Sequence, residues 1–264
     1  MSVRGWNARL SGVELKIDRA EKHLAALDEA LEWFNKDVAN ELVTEKDADS
    51  GWYFLKTLDV PSPPDDLGIL IGDCLHNARS ALDHLAWQLV NFPTSQGPDP
   101  EPAEDRIEFP IFLCERKYRD VWRNKIGGID PKGLTVLENL QPWAIPDEEK
   151  RPTHPLWLLY ELSNWDKHRV LHTTANQLRH SGFLNPELLK EAETLPPGEL
   201  KSNTPLARVC MKDGGEPNMK MGFYLALDVA FDQGLASGLP VSKTMELICK
   251  TVEHVVTRLE PFVT

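Results

Sequence analysis

The chain has 264 residues, 41% hydrophobic and 27% charged, which suits a globular fold with enough apolar mass for a substantial core. Its formal net charge of −12 excludes a general electrostatic grip on DNA or RNA, because phosphate neutralisation needs a basic surface. No run of 18 apolar residues occurs, so no membrane span is expected. Met1 to Leu15 lacks the apolar core of a secretory signal. Cys74, Cys114, Cys210 and Cys249 form no CxxC pair, which speaks against a zinc knuckle or a redox motif. The expected setting is the reducing cytoplasm.

In chain order, the three- and four-residue spacing of Leu10, Val13, Ile17, Ala20, Leu24, Leu27, Leu31 and Phe34 predicts a long helix over 7–48. Residues 51–58 read as an aromatic-rich strand. Pro61 to Pro64 ends it, and Asp65 or Asp66 caps a second long helix running to Val90. Residues 91–110 hold many prolines and acids and read as a solvated connector. Short helices are expected over 118–125 and 131–140, and a longer one over 155–172. Residues 185–205 read as a short helix and a proline-rich loop. Strands follow at 208–212 and 223–231, and a last helix runs from Pro240 to Leu259. Gly127-Gly128 and Gly214-Gly215 read as turns. The fold class is therefore α+β and mainly helical: an antiparallel helical bundle with a small appended antiparallel sheet, read as one domain over 1–264.

Two segments carry most of the chemistry. The first is Gly72-Asp-Cys-Leu-His-Asn-Ala-Arg-Ser-Ala-Leu-Asp-His84. At about 100° per residue, Leu67, Ile71, Leu75, Ala78, Leu82, Leu85 and Leu89 make an apolar stripe. The other face carries Asp73, His76, Asn77, Ser80, Asp83, His84 and Trp87. Arg79 and Asp83 are four apart and can pair. A face with no lysine or glutamate suits a partly buried polar network, and the plain structural reading is a network that holds helices in register.

Arg79-Ser-Ala-Leu-Asp-His84 resembles the Arg-x4-6-His pattern of HEPN-like domains. Many of these helical proteins are metal-independent ribonucleases that dimerise around the motif. The resemblance implies that His84 moves the proton at the RNA 2′-hydroxyl and that Arg79 stabilises charge on the phosphate. His76 and Asp83 would support them. Ser80 departs from the family, where a larger polar residue often follows the arginine. The wider string GDxLHNxRSALDHLAWQL, with NxDKHR later, is similar to a group of uncharacterised bacterial proteins.

The second segment is Asn164-Trp-Asp-Lys-His-Arg-Val-Leu-His172. On a helix over 155–172, Glu161, Trp165, His168 and His172 share a face, and His168 and His172 have the spacing of a metal-binding pair. If that face meets His76 and Asp83, a Zn, Mn or Fe centre for hydrolysis is the alternative. The simpler reading makes Asp166, Lys167 and Arg169 exposed ion pairs. Lys167, Arg169, Arg79 and Arg151 can also supply a local basic pocket. Trp87 and Trp165 lie beside the polar clusters and can wall a pocket and stack on a base. The other tryptophans read as core.

The sequence thus supports three functions. The first is a HEPN-like cytoplasmic endoribonuclease of defence or toxin type, without cofactor, acting on RNA as a homodimer. Its binding residues would be Asn77, Asp166, Lys167, Arg169, Trp87 and Trp165. The second is a metal-dependent hydrolase on His76, Asp83, Glu161, His168 and His172. The third is a non-catalytic binding or assembly protein.

Overall fold

Helix α1 spans Ser11–Asn40 and buries Val13, Ile17, Ala20 and Leu27 along the stripe expected of it, with Leu10 buried in the 3-10 turn just before it. It stops well before residue 48. Val43–Lys46 is instead strand β1, in a hairpin with β2 at Tyr53–Lys56. The β-branched Val43 and Thr44 favour the extended chain. Asp47 then closes the turn: its Oδ1 accepts from Asp49 N at 3.2 Å, and Gly51, at φ 74°, donates to its carbonyl at 3.0 Å.

Helix α2, Asp66–Asn91, lies where expected. Residues 92–108 are irregular apart from a 3-10 turn at Glu104–Arg106. Short helices α3 (Glu115–Val121), α4 (Arg123–Ile126) and α5 (Pro131–Asn139) follow. Asp130 caps α5, its carboxylate accepting from Lys132 N at 2.8 Å and Gly133 N at 3.3 Å. Helix α6 is Pro155–Asp166, six residues shorter than the 155–172 expected. Thr173 and Thr174 belong to a strand, and that strand sets the limit of the helix.

The remaining strands are β3 (Thr173–Phe183), β4 (Leu189–Thr194), β5 (Gly198–Glu199), β6 (Pro205–Met211) and β7 (Phe223–Phe231). The last helix, α7, is Val241–Leu259. The architecture is α+β and mainly helical. The structure is a computed structural model that describes residues 4–40, 42–56, 59, 62–169, 171–194, 198–199, 203, 205–212, 214, 217, 222–232 and 234–264. The turn expected at Gly215 and the prolines at 196–197 lie outside the described residues. Among the described residues no helix is long and apolar enough to cross a membrane.

The chain divides into two compact units. The first comprises residues 1–27, 68–171 and 233–264; the second comprises 28–67 and 172–232. The first is helical. Here α2 is buried on most of its circumference, and Cys74 approaches both Ala20 of α1 (Sγ to carbonyl 3.3 Å) and Cys249 of α7 (Sγ to Sγ 3.6 Å). Cys74, Cys114, Cys210 and Cys249 form no disulfide.

The second unit holds two antiparallel sheets, ordered β1-β2-β6-β4 and β5-β3-β7. This is more strand than the sequence suggested. Residues 189–194 are a strand rather than a mixture of helix and loop, because β6 pairs with them from Leu189 to Thr194. Tyr53, Leu55, Leu189, Ala207, Val209 and Met211 form the core of this unit, with Phe183 and Phe223 packed on it.

The connector is solvated only in part. Glu101, Glu104, Asp105 and Arg106 are exposed, but Phe109 is completely buried and Ile111 nearly so. Burying such a side chain is worth about 1.5–3 kcal/mol, which draws the end of the connector onto α2.

Candidate functional site

Within the helical unit, α2 presents its polar residues in three separate places. The first is a clamp. Arg79 donates from Nε to Asp83 Oδ2 (3.2 Å) and from Nη2 to the Phe109 carbonyl (2.9 Å). Asp83 Oδ1 in turn accepts from Phe109 N at 3.0 Å. The one-turn spacing of Arg79 and Asp83 along α2 lets both grip the backbone of a single residue. Gln141, almost fully buried, continues the grip: its Nε2 donates to the Pro110 carbonyl (2.9 Å) and its Oε1 accepts from Phe112 N (3.3 Å). The Arg79 side chain is only 15% exposed.

The second place is a cavity of about 460 Å³ lined by Asp83, His84, Trp87, Gln88 and Ile107. His84 is exposed, and Trp87 is 40% exposed. The buried Gln88 Oε1 has no partner among the described residues. Gly12 of α1 faces the imidazole, where a Cβ would stand 3.3 Å from His84 Nδ1. His84 and Arg79 do not converge within the chain: five residues of unbroken helix turn them about 140° apart.

The third place joins the two sequence clusters. Asp166, the last residue of α6, lies over Gly72, where a Cβ would fall 2.7 Å from the Asp166 Cγ. A side chain at that position would require the carboxylate to turn away. The Asp166 carboxyl is held above the usual aspartate range, by burial first and by Asp73 second, with His76 acting in the opposite direction. His23 of α1 reaches the same group, with Nδ1 3.9 Å from Asp73 Oδ2. Residues 93 apart in sequence, Asp73 and Asp166, are thus electrostatic neighbours. His76 is exposed beside them, so the cluster can exchange protons with solvent. Asn77 turns inward and donates from Nδ2 to the Asp73 carbonyl at 2.8 Å, a local helix contact rather than a ligand contact.

The rest of the second cluster disperses. Lys167, His168 and Arg169 are exposed in the turn after α6, with Arg169 5.6 Å over the Trp165 ring. Trp165 packs over Gly234, where a Cβ would meet its ring at 2.9 Å, and Glu161 lines the same crevice. His172 belongs to the second unit, and its carbonyl accepts from Asp232 N at 3.1 Å.

The helix that was to align His168 with His172 ends at Asp166, so the four-residue spacing carries no helical meaning. Asp83 is committed to Phe109. Among the described residues no group of three or more His, Cys, Asp and Glu side chains is arranged to hold a metal ion.

Three participants escaped the sequence reading. His23 sits in the middle of an amphipathic helix with no local signal. Gly72 was quoted only as the start of a motif, although a glycine inside a helix invites a search for a close approach. Gln141 is buried in a short turn, and only its hydrogen bonds reveal its part. Comparison with protein-family models, curated proteins and solved structures gave no match.

Proposed function

We propose that this is a HEPN-like cytoplasmic protein that cleaves RNA without a metal, with His84 as the proton-transfer residue. The observation that carries this reading is the His84 cavity. It combines an exposed imidazole, the exposed face of Trp87 and an unmatched buried acceptor on Gln88. An aromatic face stacks on any base. An amino-bearing base edge would satisfy Gln88 Oε1. Arg106 and Lys125 line the adjoining cavity, which shares Ile107 with the first; Asp105 and Glu108 line it too, and Lys125 is paired with Glu108, so Arg106 is the cation that a phosphate would use there.

In this reading His84 takes the 2′-hydroxyl proton, the 2′-oxygen attacks the adjacent phosphorus, and the P–O5′ bond breaks, the 5′-oxygen taking a proton from solvent to leave as a hydroxyl beside a 2′,3′-cyclic phosphate. The role given to Arg79 changes. Its bonds to Asp83 and Phe109 support a positioning role, in which it fixes the wall of the cavity rather than touching phosphate in the same chain. A homodimer that pairs two α2 helices belongs to the reading and would bring two His84 residues together.

The test is cleavage of single-stranded RNA by the purified protein with EDTA present, compared with His84→Ala. A second reading, a binding protein without catalysis, draws support from the burial of Arg79 and from the separation of Arg79 and His84 on α2. RNA binding without cleavage would favour it.

A further inference from the structure

The His84 cavity holds no lysine or arginine for the strand it would bind. Asp83, His84, Trp87, Gln88 and Ile107 line it, and Arg79 is turned to Asp83 and Phe109. Arg106 lies beyond Ile107, in the adjoining cavity. The approach past Trp87 has a cation of its own, Arg9.

Arg9 is exposed, in the 3-10 turn Ala8–Leu10 just before α1. Its Cζ stands 3.7 Å from the centroid of the Phe92 ring, and Phe92 packs on Trp87 with ring centroids 5.9 Å apart. One ring therefore meets both the guanidinium and the indole that walls the cavity. Gly12, a turn further along the same segment, is the residue that faces the His84 imidazole.

The placement is fixed by the backbone. Asn7 caps the turn, its Oδ1 accepting from Arg9 N at 3.0 Å. Its Nδ2 donates to the Val263 carbonyl at 3.0 Å, and the neighbouring Thr264 donates from N to the Phe92 carbonyl at 2.9 Å. Residues 263 and 264 thus tie the turn that carries Arg9 to the residue beneath its guanidinium. The guanidinium itself is left to solvent. Among the described residues Arg9 makes no ion pair, whereas Arg4 is bound to Asp18, Glu21 and Glu253. Glu260, which touches the same turn, accepts from Asn7 N at 3.2 Å.

An arginine stacked on a ring gives the ring its face and keeps its N–H edge for an anion, because the donors lie in the guanidinium plane. In a nucleotide the phosphate lies beside the base rather than over it. A base stacked on Trp87 can therefore run its backbone past Phe92 and within reach of Arg9.

We propose that Arg9 binds a backbone phosphate of the RNA strand whose base stacks on Trp87. The inference rests on the RNA reading of the His84 cavity and adds to it a residue that the Arg79–His84 motif does not contain.

The test is fluorescence anisotropy of the full chain with a single-stranded 2′-fluoro RNA, which lacks the reacting hydroxyl and stays intact, at several salt concentrations. Cleavage of unmodified RNA is followed beside it. Arg9→Gln is compared with Arg116→Gln, an exposed arginine on α3 that lines neither cavity. Each phosphate contact to a single strand contributes about 0.7 to the slope of log K against log salt. The expected result for Arg9→Gln is a slope shallower by about 0.7 and binding about tenfold weaker at low salt, with native values for Arg116→Gln. Weaker binding with an unchanged slope would show a structural role only and overturns the proposal. So does native binding by Arg9→Gln, or an equal change in Arg116→Gln. If the native chain still cleaves RNA in those cases, the His84 reading stands without Arg9; a native chain that neither binds nor cleaves sinks both.

Discussion

Arg79 and Asp83, one turn apart on α2, hold the two polar ends of a single residue: the carboxylate accepts from Phe109 N at 3.0 Å, and the guanidinium donates to the Phe109 carbonyl at 2.9 Å. Two of the residues that read as catalytic in the sequence therefore hold the backbone of Phe109 in the fold. Arg79→Lys keeps the charge but loses the planar fork, and is expected to destabilise the chain by about 1–3 kcal/mol. Asp83→Ala leaves Phe109 N without its acceptor and takes one partner from the guanidinium, and is expected to cost a similar amount, about 1–3 kcal/mol. Urea denaturation of the single and double variants checks both values. Additive losses would show that the two residues do not act together.

Gly72 and Asp166 offer a steric test. A methyl group at Gly72 would force the Asp166 carboxylate to turn away, so Gly72→Ala is expected to gain less than the roughly 1 kcal/mol by which alanine is favoured over glycine inside a helix. Adding Asp166→Ala should release the rest of that gain, because it removes the colliding group. A double variant no more stable than Gly72→Ala alone would place the strain elsewhere.

The Asp166 carboxyl titrates above the usual aspartate range because of burial and Asp73. An acid whose folded pKa is raised favours the folded state while protonated and opposes it once charged. Asp166→Asn is therefore expected to stabilise the chain at pH 7, and the gain should vanish as pH falls through the carboxylate range. Melting temperatures of both proteins between pH 4 and pH 8 give the comparison. A gain that does not depend on pH would point to something other than charge.

His154 caps α6, with Nδ1 accepting from Leu156 N at 3.2 Å, and burial holds its pKa below the usual histidine value. A histidine with a lowered folded pKa is neutral in the folded chain at pH 7. Its contribution to stability is lost as pH falls below about 6.5, the unfolded value. His154→Asn can still cap the helix but cannot titrate, so stability should fall less steeply from pH 7 to pH 5 than in the native chain. Identical slopes would exclude His154 as a source of acid sensitivity.

What could be read from the sequence depended on how local its cause was. The spans of α2, α5 and α7 follow from apolar spacing, proline and capping residues, all contained within each segment. The end of α1 was missed because the pull on Val43 and Thr44 comes from pairing with Lys56 and Leu55 across a turn. The end of α6 was missed because Thr173 and Phe231 pair across 58 residues. The site was legible in the same partial way. Sequence density drew attention to Asp73, His76 and Asp166, and the fold brings these into one electrostatic neighbourhood. The pairing of His168 with His172 rested on a helix that ends too soon. Spacing alone could not show that Arg79 turns toward Phe109 and away from His84, because that choice is made by a segment 30 residues further on.

The measurement that bears most directly on the proposed function is the cleavage of single-stranded RNA in EDTA, with analysis of the product ends, by the native protein and by His84→Ala. The expected result is 2′,3′-cyclic phosphate ends from the native chain and a rate at least about 100-fold lower in the variant. Absence of cleavage by the native protein, or an equal rate in His84→Ala, would contradict the assignment of His84 as the reacting group.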